Sequence, residues 1–482
     1  MLKYEDNKWL VTIKDLITAG ARSPQGFTLE LDFIDSFKSY YWTTDELAAR
    51  LFYEKYGLGC PLVKNKFSEC DDYLYNLSQA LDTDARFKCP KGLEYRSYQN
   101  VAIEYLLNTK NALLADAMRA GKTISALGYI NESSFKDIII VAPKTVKLGW
   151  FNECKKWLLN DYHIQVVNSK TEVKPANIHI INYDIIHTKI DLLTKNYDLI
   201  ILDEVHLAKN LAARRSKYVY GLKGKHKLGL SGTPLINKPK DFLTVLQWLD
   251  PQWERFTVKN NKFLSSSGLV LTLEQVQRLA RSSVMIRRED SVLDNEPIEH
   301  RVVELLPDDD VLPLIKAELK SLSDYGKVSK SLGLSKVRLV LNHIDVYTTD
   351  GEKIVVFAYH KEVIKRIAAS LGSKAEVVFG ESSEAERQHA IDRFQNDPSC
   401  QVIVGSIPAM SQGIKLAAAN HIIFAELDWS PGMMDQAASR CTDKDQPHPV
   451  LAEYLVYKDS LDYYKLNKLE YKGEVADAAT NC

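Results

Sequence analysis

Two sets of five short runs in this chain are apolar from end to end. NALLAD, DIIIVAP, IHIINY, YDLIILDE and KLGLSGT fall between residues 111 and 233, and KIVVFAY, AEVVFG, QVIVGS, HIIFAEL and AEYLVY between 353 and 457. A strand without alternation has to be covered on both faces, which is the situation of a parallel sheet with helices on each side. Both sets alternate with helical patterns, so periodicity alone predicts two α/β units in tandem. Between them, from about Pro251 to Lys336, polar helix patterns predominate and no buried strand is expected. Residues 1–88 have a different character: aromatics (Trp9, Tyr40, Tyr41, Trp42, Tyr53, Tyr56) punctuate short apolar runs, and TTDELAARLFYEKYG begins like a capping box. The expected division is an α+β accessory domain over 1–88, a first lobe with a helical extension over 89–290 and a second lobe over 291–482. The 482 residues suit that number of units at roughly 150 residues each.

The opening MLKYEDNKWLVTI has no basic segment leading into an apolar run. No later window approaches the roughly 18 apolar residues of a membrane span. A monomer acting in the cytoplasm, the host's if the chain is viral, is the expectation. The seven cysteines contain no C-x-x-C pair and read as idle thiols. A net charge of −1 requires any phosphate-binding surface to be local. One stretch qualifies: between Glu204 and Asp241 there is no acid, while Lys209, Arg214, Arg215, Lys217, Lys223, Lys225, Lys227, Lys238 and Lys240 accumulate. Taken alone, such a run is more often a solvated face than a contact surface.

NALLAD runs into Asp116-Ala117-Met118-Arg119-Ala120-Gly121-Lys122-Thr123 and then a helical pattern, the context a phosphate-binding loop needs. Lys122 would meet the β- and γ-phosphates of ATP, Gly121 would let the backbone approach them, and Thr123 would ligate Mg²⁺. Asp116 stands where the first glycine of such a loop is usual. Further on, DLIIL ends in Asp203-Glu204-Val205-His206. A carboxylate at the tip of a buried strand is suited to hold Mg²⁺, and its neighbour to deprotonate water. Asp203 is expected to hold the metal and Glu204 to serve as base.

From Leu93 to Tyr457 the chain resembles superfamily-two helicases of the SWI/SNF-like group. Leu93-Glu94-Tyr95-Arg96-Ser97-Tyr98-Gln99 resembles that group's adenine-reading element, which implies that Gln99 meets the base. Ala142-Pro143-Lys144-Thr145, Asn182-Tyr183-Asp184 and Ser231-Gly232-Thr233-Pro234 are similar to its DNA-contacting and coupling motifs. Val284-Met285-Ile286-Arg287-Arg288, with Val292-Leu293, resembles the element that crosses between lobes. In the second half, Val355 to Ala358, Gly380 to Arg387, Ser406 to Leu416, Phe424 to Gly432 and Gln436 to Arg440 stand in the family's order. The segment SIPAMSQGIKL…IIFAELDWSPG is most similar to the fork-remodelling, annealing-helicase branch, and the chain's size to a phage-encoded branch-migration helicase.

The resemblance implies two RecA-like lobes that close on ATP and Mg²⁺ and unwind or branch-migrate forked, branched or duplex DNA. Nucleic-acid contacts would come from Lys144, Thr145, Arg287 and Ser406, with the basic 209–240 segment along the track. His206, Ser231 and Thr233 would couple the two sites, and Arg440 would reach the γ-phosphate from the second lobe. The N-terminal aromatics would read junctions. An RNA helicase and a nucleotide-gated DNA-binding module with weak hydrolysis remain open as alternatives. The chain departs from the family in three places. Arg119-Ala120 replaces Gly-Leu in the phosphate loop, Met410-Ser411-Gln412 stands where Gly-Gly is usual, and Asp443 and Asp445 stand at the last motif's second arginine and glycine, with Lys444 between them.

Overall fold

The computed structural model describes residues 3–5, 8–12, 28–30, 40–43, 71–208, 213–232, 239–266, 270–288, 298–315, 322–410, 414–442 and 449–467. Strands β1 (Lys3–Glu5), β2 (Lys8–Thr12), β3 (Thr28–Glu30) and β4 (Tyr40–Thr43) make an antiparallel sheet in the order β1-β2-β4-β3. Trp9, Tyr40, Tyr41 and Trp42 lie on β2 and β4. Of the helical stretch expected over 43–57, Thr43 ends β4 and the rest lies outside the described residues.

The first set of apolar runs forms β5 (Asn111–Leu114), β6 (Ile138–Ala142), β8 (Ile178–Asn182), β9 (Asn196–Asp203) and β10 (Lys223–Leu230), joined by β7 (Ile164–Val166). They form one parallel sheet in the order β5-β10-β9-β6-β8-β7. Successive side chains alternate between its faces. Leu113, Ile139, Val141, Ile200 and Leu202 pack with Phe242 and Leu246 of helix Pro239–Leu249. Leu114, Ile138, Ile140, Ile201 and Leu230 pack with Val101 of helix Ser97–Asn108, Leu127 and Ile130 of helix Lys122–Asn131, and Trp150 of helix Lys147–Trp157. Each fully buried aliphatic contributes about 1.5–3 kcal/mol relative to exposure, so a sheet covered on both faces is strongly held.

The region between the two sets of runs departs from expectation, because it does contain strands. β11 (Phe256–Lys259), β12 (Lys262–Ser265) and β13 (Val270–Leu271) form a small antiparallel sheet that buries Phe256, Phe263 and Leu271. The buried strand β14 (Met285–Ile286) extends the first sheet beside β5. β15 (Glu299–Leu305) is a solvent-facing edge strand of the second sheet. Runs of two to four residues are too short to show a period, and a polar edge strand has no apolar face to advertise.

The second set gives β16 (Ile354–Ala358), β17 (Ala375–Val378), β18 (Val402–Ser406), β19 (His421–Phe424) and β20 (Leu451–Tyr457). The resulting parallel sheet has the order β15-β20-β19-β16-β18-β17. Helix Leu322–Thr348 crosses one face, fastened by a fully buried Lys336 paired with Asp462 at 2.7 Å. Two tandem parallel α/β lobes are therefore present, as the apolar runs require. Residues 71–88 pack on the first lobe: Leu77 joins its core, and the Tyr73 hydroxyl donates to Glu104 at 2.8 Å. Among the described residues no helix is long and apolar enough to cross a membrane.

Candidate functional site

Parallel register lines up the carboxyl ends of the first sheet. Leu114 pairs with Leu230 and with Ile286, and Leu230 with Asp203. The segments leaving β5, β9, β10 and β14 therefore emerge side by side at one edge. They are the phosphate loop, Asp203-Glu204, Ser231-Gly232 and Arg287-Arg288.

The loop turns sharply into helix Lys122–Asn131, with Arg119 at φ +67° and Gly121 at φ +73°. A Cβ on Gly121 would stand 2.4 Å from Gln99 Nε2. Gln99 is 3% exposed; its Oε1 accepts from Arg96 N at 3.0 Å and its Nε2 donates to Ala120 O at 3.2 Å. It thus braces the loop from below. Lys122 Nζ donates to the carbonyls of Asp116 and Ala117, both at 2.8 Å. Burial lowers the Lys122 pKa and Arg287 adds to this, against the opposing fields of Glu204, Asp116 and Asp203. Gly232 lies so close that a Cβ there would meet Met118 Cγ at 2.6 Å and Lys122 Nζ at 3.4 Å.

Asp203 Oδ2 accepts from Trp150 Nε1 at 2.8 Å, and its carbonyl accepts from the Tyr183 hydroxyl at 2.7 Å. Glu204 is held at φ +51°, uncommon for a residue with a side chain and typical of functional sites. His206 Nδ1 lies 3.3 Å from Glu204 Oε2 and 3.2 Å from Ser231 Oγ, linking the acid to the β10 loop. Burial raises both carboxyl pKa values, and for Asp203 the adjacent Glu204 charge adds to the effect.

The second lobe completes the cluster. Helix Pro431–Ala438 carries Gln436, whose Nε2 donates to Glu204 Oε1 at 2.9 Å across the lobe boundary. Arg440, just beyond the helix, loses some basicity to burial while the negative fields of Glu204 and Asp203 restore part of it; the Arg119 charge lies close enough to act on it too. Two carboxylates with raised pKa values, a hydroxyl at the helix start (Thr123) and an ammonium occupied only by loop carbonyls fit Mg²⁺ and a polyphosphate. The cation would offset the buried negative charge, and phosphate oxygens would replace the carbonyls.

Arg287, expected to contact nucleic acid, stands beside the loop that carries Lys122. It is half-buried, its Nη1 donates to Ala115 O at 3.1 Å, and its field reaches Lys122. Lys209 and Lys238 lie outside the described residues, and the described cations of the 209–240 run do not share one edge of the sheet. Arg214, Arg215 and Lys217 are exposed on helix Arg214–Tyr220, but β10 carries Lys223, Lys225 and Lys227 to the opposite edge of the sheet. There Lys225 pairs with Asp198 at 2.9 Å and Lys227 donates to Trp248 O at 2.7 Å. Lys144 is exposed after β6, and Thr145 beside it has a buried hydroxyl with no hydrogen-bond partner. Ser406 ends β18, half-buried. Thr233, Asp443, Lys444 and Asp445 lie outside the described residues, as do Ser411 and Gln412.

Three features escaped sequence reasoning. Trp150 and Gln436 hold the two carboxylates; Trp150 has no spacing signature of its own, and the motif that Gln436 opens does not tell which carboxylate it meets. The third is the role of Asp116. Its carboxylate accepts from Arg288 N at 2.9 Å and Nε at 3.0 Å and forms an ion pair with the same guanidinium, which also donates to Tyr98 O at 2.6 Å. An acid in a glycine's place was the available signal.

Fold and site together define a two-lobed α/β protein of the helicase class, with a buried cluster of carboxylates, an ammonium and a guanidinium drawn from both lobes. The chain belongs to the SNF2-related family: an SNF2-related domain matches residues 67–306 and a helicase conserved C-terminal domain matches 335–443. It is 29% identical over 421 residues to the Xenopus laevis SWI/SNF-related matrix-associated actin-dependent regulator of chromatin subfamily A-like protein 1, covering 79% of this chain and 44% of that protein. It is 27% identical over 420 residues to the Homo sapiens DNA annealing helicase and endonuclease ZRANB3, covering 77% and 39%. The chain thus spans less than half the length of these relatives. A Sulfolobus solfataricus SWI2/SNF2 ATPase core in complex with dsDNA matches at 21% identity and a TM-score of 0.39, over 82% of this chain and 94% of that one.

Proposed function

We propose that this chain is a DNA-dependent ATPase that translocates on DNA and remodels forked or branched substrates in the cytoplasm. The observation that carries this reading is Glu204, held by His206 of its own lobe and by Gln436 of the other. A base gripped from both sides ties hydrolysis to the relative position of the lobes. Lys122 binds the β- and γ-phosphates, Thr123 and Asp203 hold Mg²⁺, Glu204 accepts the proton of the attacking water, and Arg440 faces the charge that develops on the γ-phosphate. The cation supplies charge neutralisation between the phosphates. Gln99 positions the loop and stands beside the adenine side. Lys144, Thr145 and Ser406 grip the phosphate backbone, which makes stepping largely independent of sequence and sensitive to salt. His206 and Ser231 pass nucleotide state to that surface, with Thr233 next in the chain. The name of the annealing-helicase relative supports DNA as the substrate.

ATP hydrolysis measured with single-stranded, blunt duplex and forked DNA and with RNA tests the proposal. Forked DNA should stimulate most and RNA least. Lys122→Ala should abolish hydrolysis while leaving salt-sensitive DNA binding. Stimulation by RNA equal to that by DNA would make the chain an RNA helicase, and a rate indifferent to all four would make it a nucleotide-gated binding module.

A further inference from the structure

The second lobe has a cavity of about 540 Å³ that the nucleotide site does not use. Its position follows from topology. From β16 the chain builds β17 and β18 on one side and then crosses to β19 on the other, so the strand order reverses between β16 and β19. Segments leaving their carboxyl ends diverge there and open a crevice, the usual ligand position in a parallel sheet. Tyr359 and His360 enter from β16, Leu427 and Trp429 from β19; Tyr325 and Ser329 of helix Leu322–Thr348 and Tyr464 and Lys465 close the walls.

The walls are aromatic and the floor is polar. Trp429 stands 6.5 Å from Tyr325 and 6.3 Å from Tyr464, centroid to centroid, with planes inclined at 58° and 72°, so the rings offer single faces rather than a parallel pair. Tyr359, Trp429 and Tyr464 remain 48%, 39% and 48% exposed, although rings of this size are ordinarily covered. Lys465 is 3% exposed; its Nζ donates to Ser329 Oγ at 2.9 Å and Leu427 O at 3.4 Å and lies 5.3 Å from the Trp429 ring centroid. Buried Glu426 accepts from the amides of Tyr359 and His360 at 2.9 and 2.8 Å and bonds His360 Nδ1 at 2.7 Å. That leaves the other imidazole nitrogen for a ligand.

We propose that this cavity receives a single unpaired nucleobase of the DNA strand being remodelled. The inference rests on the DNA-translocase reading. A ring-walled slot with a cationic floor suits a flat heterocycle bearing polar edge atoms. A paired base hides its faces in the duplex, so only an unstacked base can lay one against a ring. Trp429 is also followed directly by helix Pro431–Ala438, which carries Gln436 to Glu204, so base occupancy and the hydrolytic base share one short segment.

The test uses the whole chain and forked DNA carrying 2-aminopurine at successive positions of the unpaired arm. One position should report stacking on binding. An abasic residue there should weaken wild-type binding about 5- to 150-fold, the range for one base–aromatic stack. Tyr464→Ala and Trp429→Ala should bind intact and abasic forks alike, whereas Tyr464→Phe and Trp429→Phe should keep the preference for the intact fork. No responsive position with wild-type protein, or an abasic penalty undiminished in both alanine variants, would overturn the proposal. So would free deoxynucleoside monophosphate filling the site as well without DNA, which would make it a nucleotide site. Hydrolysis stimulated by blunt duplex, measured in parallel, reports separately on the translocase reading.

Discussion

Arg119 shows why glycine is usual at its position: the loop needs a left-handed backbone there, at φ +67°, and a side chain makes that cost about 1–2 kcal/mol. The same side chain brings a guanidinium whose field reaches Arg440. Arg119→Gly should therefore raise the melting temperature while lowering ATP turnover; a variant unchanged in both would leave this residue without a role. Asp203 behaves in the same sense. The unfolded chain releases its proton in the ordinary carboxylate range, whereas burial, with Glu204 beside it, holds that proton to a higher pH in the nucleotide-free fold. Across that window the folded state binds more protons, so Asp203's contribution is full below the unfolded value and is lost as pH rises through the folded one. Asp203→Asn removes the buried charge. Its melting-temperature advantage over wild type should widen from about pH 5 to about pH 8, while hydrolysis is abolished. An advantage independent of pH would show that Asp203 does not titrate abnormally.

At the scale of elements, the phosphate loop is fastened to β14 by the buried Asp116–Arg288 pair rather than by a first glycine. Restoring the family residue should therefore harm this chain. Asp116→Gly leaves Arg288 buried without its acid and should cost about 3–5 kcal/mol in urea unfolding. A cost below about 1 kcal/mol, the worth of an exposed pair, would mean that the guanidinium finds water instead. Helix Asp71–Leu77 is a second case. It buries Leu77 in the first lobe, and beyond it Ala80 O accepts from Arg288 Nη1 at 3.4 Å and Lys88 N donates to Glu132 Oε1 at 3.0 Å. Removing residues 1–70 should leave basal hydrolysis intact but weaken discrimination for branched over linear DNA. Removing 1–88 should also lower the melting temperature, and equal melting of the two truncations would show that this stretch adds nothing to the lobe.

Across the whole molecule, the proposed catalytic constellation lies where the lobes meet. Arg440→Ala should lower turnover about 10³-fold or more, as loss of a transition-state arginine in a closed site does, with nucleotide binding largely kept. Lys444→Ala should lose only about tenfold, because an ammonium cannot reproduce a bidentate guanidinium. The opposite ranking would make Lys444 the group that reaches the γ-phosphate.

The tandem lobes, the phosphate loop and the Asp203-Glu204 pair were legible in the sequence because each has a short-range signature. Apolar runs demand two-sided burial, a loop needs its strand and helix, and a carboxylate pair stands at a strand's end. What lay outside that reach was convergence. Gln436 is 232 positions from Glu204 and Arg288 is 172 from Asp116, and nothing local in either marks its partner. The basic run shows the reverse case. Neighbours in sequence were carried to opposite edges of the sheet once β10 set their direction. Likewise, nothing near Arg287 placed it beside the Lys122 loop until β14 paired with β5. Local chemistry is written in adjacent residues, whereas which charges face one another depends on strand order and register, and these are decided only when the sheets pack.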